Sequence, residues 1–332
     1  MFKKYTEIEN SYREKYIRDF FDRHPEMAHK KYTITEKIDG SNISFIFAKD
    51  PVTEDVSFAY AKRSGLILPD ENFFGIQAYV DSISDFVDSV RNSISTALDQ
   101  PWTTFTMFGE YFGPGIQKRI NYGNSKRAVF FDICIDGQYV SQERFFSLMA
   151  VLDSKGEFTI PLLSTVDSFD EALQFNTHFN SVIGPACEDL ENECEGVVIK
   201  PFDAGGPDNP LVDQYGHHEH FYVKMKNKKF AEKTKTKSRS KNISSSALVA
   251  VQELFAAYLN ENRIQSVFSK EGPISDVKDM GKYIKLIVED AKADFLKDEA
   301  ETFYSAELSD KERGKVFSIA GKIISKELLR LV

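Results

Sequence analysis

Two alternating stretches, Tyr32-Thr33-Ile34-Thr35-Glu36 and Ile43-Ser44-Phe45-Ile46-Phe47, flank the hexapeptide Lys37-Ile38-Asp39-Gly40-Ser41-Asn42. A period of two marks strands with one face turned to a core, and the small polar residues between them mark a turn. The fold must therefore hold a lysine, with an acid and a glycine close behind it, on a turn between two strands. An amine attacks only through its lone pair, and at an ordinary pKa of about 10.4 a lysine is mostly ammonium at neutral pH. Desolvation or neighbouring cations release that lone pair. What matters next is which partners the rest of the chain supplies.

The alternation continues to about residue 63. Ser11-Tyr12-Arg13-Glu14 has the form of a capping box and predicts a short helix with Tyr16, Ile17, Phe20 and Phe21 on one face. Ile76, Tyr79, Val80, Ile83, Val87, Val90 and Ile94 recur at helical spacing. Strand-like runs return at 103–108, 128–135, 196–200 and 220–225, and Ser168 with Glu171 forms a second capping box. Between positions 224 and 241 stand nine Lys or Arg and one acid, Glu232, a local charge of +8 on a chain of net charge -9. Such a run is either a solvated linker or a phosphate-binding segment, because binding follows local charge. Beyond it glycine is sparse. Leu248, Val251, Leu254, Phe255, Tyr258 and Leu259 keep helical register, as do Tyr283, Ile284, Ile287 and Val288. A last helix opens at Ser309-x-x-Glu312 and carries Val316, Ile319, Ile323, Ile324 and Leu328. At 332 residues the chain exceeds the usual single domain. We expect an α+β domain over 1–234, a basic linker over 235–243 and an all-helical domain over 244–332.

No apolar run reaches the length of a membrane span, and Met1-Phe2-Lys3-Lys4-Tyr5 leads into an amphipathic pattern instead of a signal peptide. The cysteines, Cys134, Cys187 and Cys194, are odd in number and lack metal spacing. A reduced, cytoplasmic and monomeric protein with no membrane partner is the expectation. Glu110 closes the apolar run 105–109 and precedes a Gly/Pro turn, where an acid can accept hydroxyl hydrogen bonds or hold a hydrated metal. Glu195, just before Gly196-Val197-Val198-Ile199-Lys200, repeats that theme. Alternation puts Lys224 and Lys226 on one face of a strand, which suits two cations gripping one phosphate; Lys62-Arg63 adds further cations. Phe131, before Asp132, either fills the core or offers a ring face to a base. His217-His218-Glu219-His220 ends a long loop and lacks Cys or His partners of recognised spacing, so it reads as a surface loop and not a zinc site. His24, His29 and His178 show no catalytic arrangement.

In chain order, Lys-Ile-Asp-Gly, Lys-Arg-Ser-Gly, Phe-Gly-Glu, Phe-Phe-Asp, Glu-Gly-Val-Val-Ile-Lys and Val-Lys-Met-Lys resemble the successive motifs of the covalent nucleotidyltransferase superfamily of ligases and capping enzymes. Segments 61–75 (AKRSGLILPDENFFG) and 108–118 (FGEYFGPGIQK) resemble the phage-type RNA ligase 2 family, which seals nicks in duplex RNA. The likeness runs from Met1 through the basic run; the helical tail is similar in kind and length more than in motif.

The resemblance implies an α+β, ATP-grasp-like nucleotidyltransferase domain of antiparallel sheets with flanking helices, then a small all-helical domain. It implies an ATP-dependent RNA ligase in which Lys37 takes AMP from ATP. The adenylate would pass to an RNA 5′-phosphate, and a 3′-hydroxyl would displace it to join the strands. By the same resemblance Glu36 and Phe131 correspond to adenine-pocket residues, with Phe131 stacked on the base. Asn42, Arg63, Glu110 and Asp132 correspond to positions lining the nucleotide and the nick, Arg63 and Asp132 on the RNA side. Glu195 would hold the divalent metal, joined by Glu110 through water, and Lys224 and Lys226 would contact phosphate. ATP and Mg²⁺, with Mn²⁺ as substitute, are the implied cofactors, and nicked duplex RNA or an RNA–DNA hybrid is the implied partner. A DNA nick ligase or a capping guanylyltransferase shares the lysine chemistry but carries a β-rich barrel where this tail reads as helices. A non-catalytic RNA-binding protein on a ligase scaffold is the reading from another class, and the full set of polar motif residues stands against it.

Overall fold

The computed structural model describes residues 2–98, 100–186, 190–233, 247–274 and 276–331. It divides into two compact units, Met1–Asn227 and Lys228–Val332. In the first, eleven strands form among the described residues: β1 (Glu9–Asn10), β2 (Tyr32–Glu36), β3 (Ser41–Lys49), β4 (Val56–Lys62), β5 (Gly65–Leu66), β6 (Thr104–Phe112), β7 (Arg127–Ile135), β8 (Gln138–Tyr139), β9 (Leu162–Val166), β10 (Gly196–Pro201) and β11 (Val223–Lys226). One sheet has the order β1-β11-β10-β2-β9, the other β5-β4-β3-β6-β7-β8. Neighbouring strands are antiparallel except for the edge pair of β1 and β11. The two alternating stretches around Lys37 thus do not form a hairpin. β2 belongs to one sheet and β3 to the other, so the lysine's turn is the crossing between them.

Alternation explains the cores. Tyr32 and Ile34 of β2, Val197 and Ile199 of β10, and Val223 of β11 pack with Phe20, Phe169 and Phe221 on one face of the five-stranded sheet. In the six-stranded sheet Ile43, Phe45 and Phe47 are buried. Helix Gln142–Leu152 packs on β7 and on helix Ser84–Leu98. β6 and β7 change register at Phe108/Gly109: Phe108 faces Asp132 and Gly109 faces Phe130, leaving Phe131 as the extra residue of a bulge. A bulge re-aims its side chain, and here it does so at a residue expected to serve the site.

Several local expectations change under tertiary pairing. Ser11 does not cap the helix Glu14–Arg23, whose N-cap is Arg13. The Ser11 N–H donates instead to Lys224 O (3.0 Å), extending the pairing of β1 with β11. The helical period from 76 to 94 becomes two helices, Ile76–Ser82 and Ser84–Leu98, broken at Ile83. Ser168 does cap its helix, accepting from the Glu171 N–H at 3.2 Å, and Ser309 with Glu312 forms a complete capping box.

The second unit is helical, with Val251, Phe255, Tyr258, Ile287, Phe295, Val316, Ile324 and Leu328 in its core. Residues 228–233 belong to it and not to the sheet unit. Asn262 Nδ2 donates to Lys229 O (3.1 Å) and Ala231 O (2.8 Å), and Asn260 Nδ2 to Glu232 O (2.9 Å). The expected linker 235–243 and Cys187 lie outside the described residues. Cys134 and Cys194 are buried free thiols. Among the described residues no helix is long and apolar enough to cross a membrane.

Candidate active site

Four chain segments converge where the two sheets meet. The Lys37 N–H donates to Gly196 O (2.9 Å), which ties the lysine's turn to the start of β10. Gly40 leaves no room for a side chain, since a Cβ would lie 2.5 Å from Tyr111 O and 2.9 Å from Glu110 Cγ. Gly196 has φ +142°, and a Cβ there would lie 1.9 Å from Met225 O, so β10 and β11 close together only with glycine at this point. The result brings three charges into contact. Lys37 Nζ donates to Glu195 Oε2 at 2.7 Å, and Lys226 Nζ lies 2.8 Å from Oε1 of the same carboxylate.

Burial alone would push the Glu195 carboxyl up; Lys226, then Lys37 and Arg119, hold it down at about 2. It therefore stays ionised. Glu110 stands at the far end of the crossing, its Cα opposite that of Asn42. Burial, with the charges of Glu195 and Asp39, pushes Glu110 up to about 8 against the pull of Lys37 and Arg63. Asp39 is also pushed up, by burial and then by Glu195, and Arg119 opposes the shift. Lys37 is thus surrounded differently from the sequence expectation: a carboxylate touches the amine, and the cations stand on the other side of that carboxylate. The Lys37 amine is thus tied to an acid that Lys226 also holds.

Glu36, at the end of β2, is 2% exposed, and burial pushes it up to about 7. Its Oε2 accepts from the Val182 N–H (2.8 Å), while Oε1 is buried with no partner. An acceptor left bare at that depth costs free energy until a donor meets it.

The comparisons with known proteins bear on this constellation. The RNA ligase family profile matches residues 30–211, and the T4 RNA ligase 2 C-terminal profile matches residues 241–319. The chain belongs to the RNA ligase family. It is also similar to the mitochondrial RNA-editing ligase 2 of Trypanosoma brucei brucei, with 29% identity over 113 residues, 34% of this chain and 26% of that protein. Solved structures of Naegleria gruberi RNA ligase mutants are similar to it at 17% identity. One, with AMP and Mn, has a TM-score of 0.46; another, with ATP and Mn, has 0.47; each match covers 69% of this chain and 56% of that one. The chain thus spans about a quarter of the trypanosome protein and little more than half of the Naegleria chains.

The other expected residues differ in how close they stand to this constellation. Asn42, whose Nδ2 donates to Gly109 O (3.3 Å), and Arg63, whose charge acts on Glu110, stand by the crossing. Lys224 is half-buried, two residues before Lys226 on the same face of β11. Phe131 is half-buried on its bulge, the Tyr5 ring edge-on at 5.2 Å and Lys200 Nζ 5.0 Å from its centroid.

Asp132 differs from expectation. It is fully buried, 2.7 Å from Lys200 Nζ, accepting from Gln142 Nε2 (2.7 Å) and from Tyr5 Oη. A carboxylate so enclosed has no surface to offer RNA; it supports the Phe131 bulge from beneath. Lys200, Tyr5 and Arg119 join the expected residues here. Lys200 did leave a signal, because a charge inside the apolar run Val197-Val198-Ile199 demands a buried partner.

The histidine loop is at the surface, as expected, with His217 and His218 exposed, but Glu219 and His220 at its end are half-buried. Glu219 pairs with Arg23 and lies 3.1 Å from His24 Nε2, and His220 packs edge-on to Tyr139 at 4.7 Å. Among the described residues the one group of three acids close enough to share a cation is Glu232, Asp290 and Asp294. Arg263 Nη1 already sits on all three, at 3.1, 2.6 and 2.7 Å.

Proposed function

We propose that the chain is an ATP-dependent RNA ligase that seals 3′-hydroxyl/5′-phosphate nicks in duplex RNA or RNA–DNA hybrids. The single observation that carries this reading is the Lys37–Glu195–Lys226 contact at the meeting of the two sheets. In the first step the Lys37 nitrogen bonds to the α-phosphorus of ATP, the bond from phosphorus to the pyrophosphate oxygen breaks, and the amine proton leaves to solvent. Glu195, held at about 2, is too weak a base to take that proton. The lysyl-AMP then gives its adenylate to the 5′-phosphate, and the 3′-hydroxyl displaces AMP. Such transfers depend on positioning and charge stabilisation, for which Lys224, Lys226 and Arg63 are the cations.

Glu36 suits the adenine amino group: its bare Oε1 calls for a donor. Phe131, set out on its bulge, would stack on the base, with Asn42 and Glu110 toward the sugar and phosphate. Glu110 and Asp39 each feel the negative charge of Glu195, a charge that a hard divalent cation would offset. Glu195, and Glu110 through water, would hold Mg²⁺ or Mn²⁺, which neutralises phosphate charge. The free thiols of Cys134 and Cys194 fit the expected cytoplasmic setting, and a monomer remains part of the proposal. The expected division into 1–234, 235–243 and 244–332, with its first boundary drawn in to Asn227, would separate nucleotide chemistry from the helical part.

Sealing assays on matched nicked RNA–RNA, RNA–DNA and DNA–DNA duplexes test the reading. Joining of the first two is expected, with 2′-hydroxyl and A-form contacts disfavouring all-DNA. Efficient sealing of DNA–DNA alone would favour a DNA ligase, and no joining of any would favour a non-catalytic binder.

A further inference from the structure

Arg119 took no part in the motif reading, yet it is joined to the turn that presents Lys37. Its Nε donates to Asp39 Oδ2 (2.9 Å) and its Nη2 to Oδ1. A two-pronged pair of this kind fixes the plane of the carboxylate as well as its distance. Asp39 is 4% exposed, and its own N–H donates to Tyr122 Oη at 2.8 Å. Arg119 and Tyr122 both lie on the loop between β6 and β7. That loop therefore supplies two ties to the lysine's turn, beside the Lys37 N–H to Gly196 O bond from β10.

The loop is itself braced. Gln117 Oε1 accepts from the N–H groups of Arg119 (2.7 Å) and Ile120 (3.1 Å). The Asn121 N–H donates to Asn192 Oδ1 and Asn192 Nδ2 returns the bond to Asn121 O, both at 2.8 Å. Asn192 stands three residues before Glu195. One loop thus grips both members of the Lys37–Glu195 pair, and Arg119 is its hold on the lysine side.

We propose that Arg119 is a positioning residue for lysine adenylylation, holding Asp39 so that the Lys37 amine stands in line with the α-phosphorus. This rests on the proposed ligase function. Without the guanidinium fork Asp39 is left buried and unmatched, the turn relaxes, and a misplacement of about 1 Å at a reacting centre can cost on the order of 10²-fold in rate.

The test compares the full chain with Arg119→Met, Arg119→Lys, Asp39→Asn and the Arg119→Met/Asp39→Asn double variant. In Arg119→Met the single-turnover rate of adenylylation should fall about 10- to 100-fold, with the ATP concentration for half-maximal rate nearly unchanged. The double variant should be no slower, because the pair acts as one unit, and Arg119→Lys should recover part of the rate. Sealing of a nick whose 5′ end is already adenylylated, which needs no attack by Lys37, should be little affected. Should Arg119→Met fail to fold, the double variant, which leaves no unmatched buried acid, carries the same expectation. A wild-type adenylylation rate in either, or an equal loss on the pre-adenylylated nick, overturns the proposal. If the wild-type chain takes no adenylate at all, the ligase reading itself has failed. Arg119 is then judged by trace acylation at one pH: the reactivity of Lys37 relative to Lys49 should change in the variants, and an unchanged ratio overturns the positioning role.

Discussion

Glu36 and Glu195 are both 2% exposed, and their surroundings drive them in opposite directions. Glu195 has two ammonium partners and sits at about 2; Glu36 has only neutral donors beside it, the Ser181 hydroxyl and the Val182 N–H, and burial holds it at about 7. The signs for stability follow. Glu36, raised by burial, contributes stability that is complete below its unfolded value of about 4.3 and is lost as pH rises through 7. Glu195 does the reverse, its contribution present above that unfolded value and lost as pH falls toward 2. Glu36→Gln should therefore flatten the decline in unfolding free energy between pH 5 and pH 8 by on the order of 2–3 kcal/mol, while slowing adenylylation. Denaturation of both proteins at the two pH values checks this; an equally steep decline in the variant would contradict it. Lys37, Glu195 and Lys226 were legible because their motifs are local strings. Arg119 was not, and Lys200 signalled only that it needed a buried partner: the acids that define them lie 80 and 68 residues away, where no short pattern reports them.

At the scale of elements, β10 and β11 are the pair that delivers Glu195 to Lys226, and Gly196 is what lets them approach. Gly196→Ala combines a left-handed φ of +142° with a Cβ 1.9 Å from Met225 O. It should cost about 2–4 kcal/mol and cut adenylylation more deeply than it lowers the unfolding midpoint; equal stability and rate would show that the strand spacing does not set the site. Strands whose alternation was long, β3 and β7 above all, could be read from sequence. The capping box at Ser11 could not be trusted, because the same residue completes the edge pairing with β11 and tertiary pairing outweighs a local cap. The crossing of β2 and β3 between sheets was hidden for a related reason: a period of two says that a strand forms, not which strand it joins.

For the whole molecule, the proposed function would divide charge and chemistry between the two units. Lys37, Glu36, Glu110, Glu195 and Lys226 all belong to Met1–Asn227. Residues 228–332 hold 20 Lys or Arg against 16 Asp or Glu, on a chain whose net charge is -9. Removal of residues 244–332 should therefore leave adenylylation largely intact and impair end joining, most at raised salt where phosphate contacts weaken. Loss of self-adenylylation from a folded truncated chain would contradict that division. Intact-mass spectrometry of the full chain after incubation with ATP and Mg²⁺, followed by peptide mapping, tests Lys37 as the nucleophile. One added AMP is expected, released by pyrophosphate, carried on Lys37 and absent from Lys37→Ala. An adenylylated Lys37→Ala protein, or a wild-type chain that never gains the mass, would contradict it.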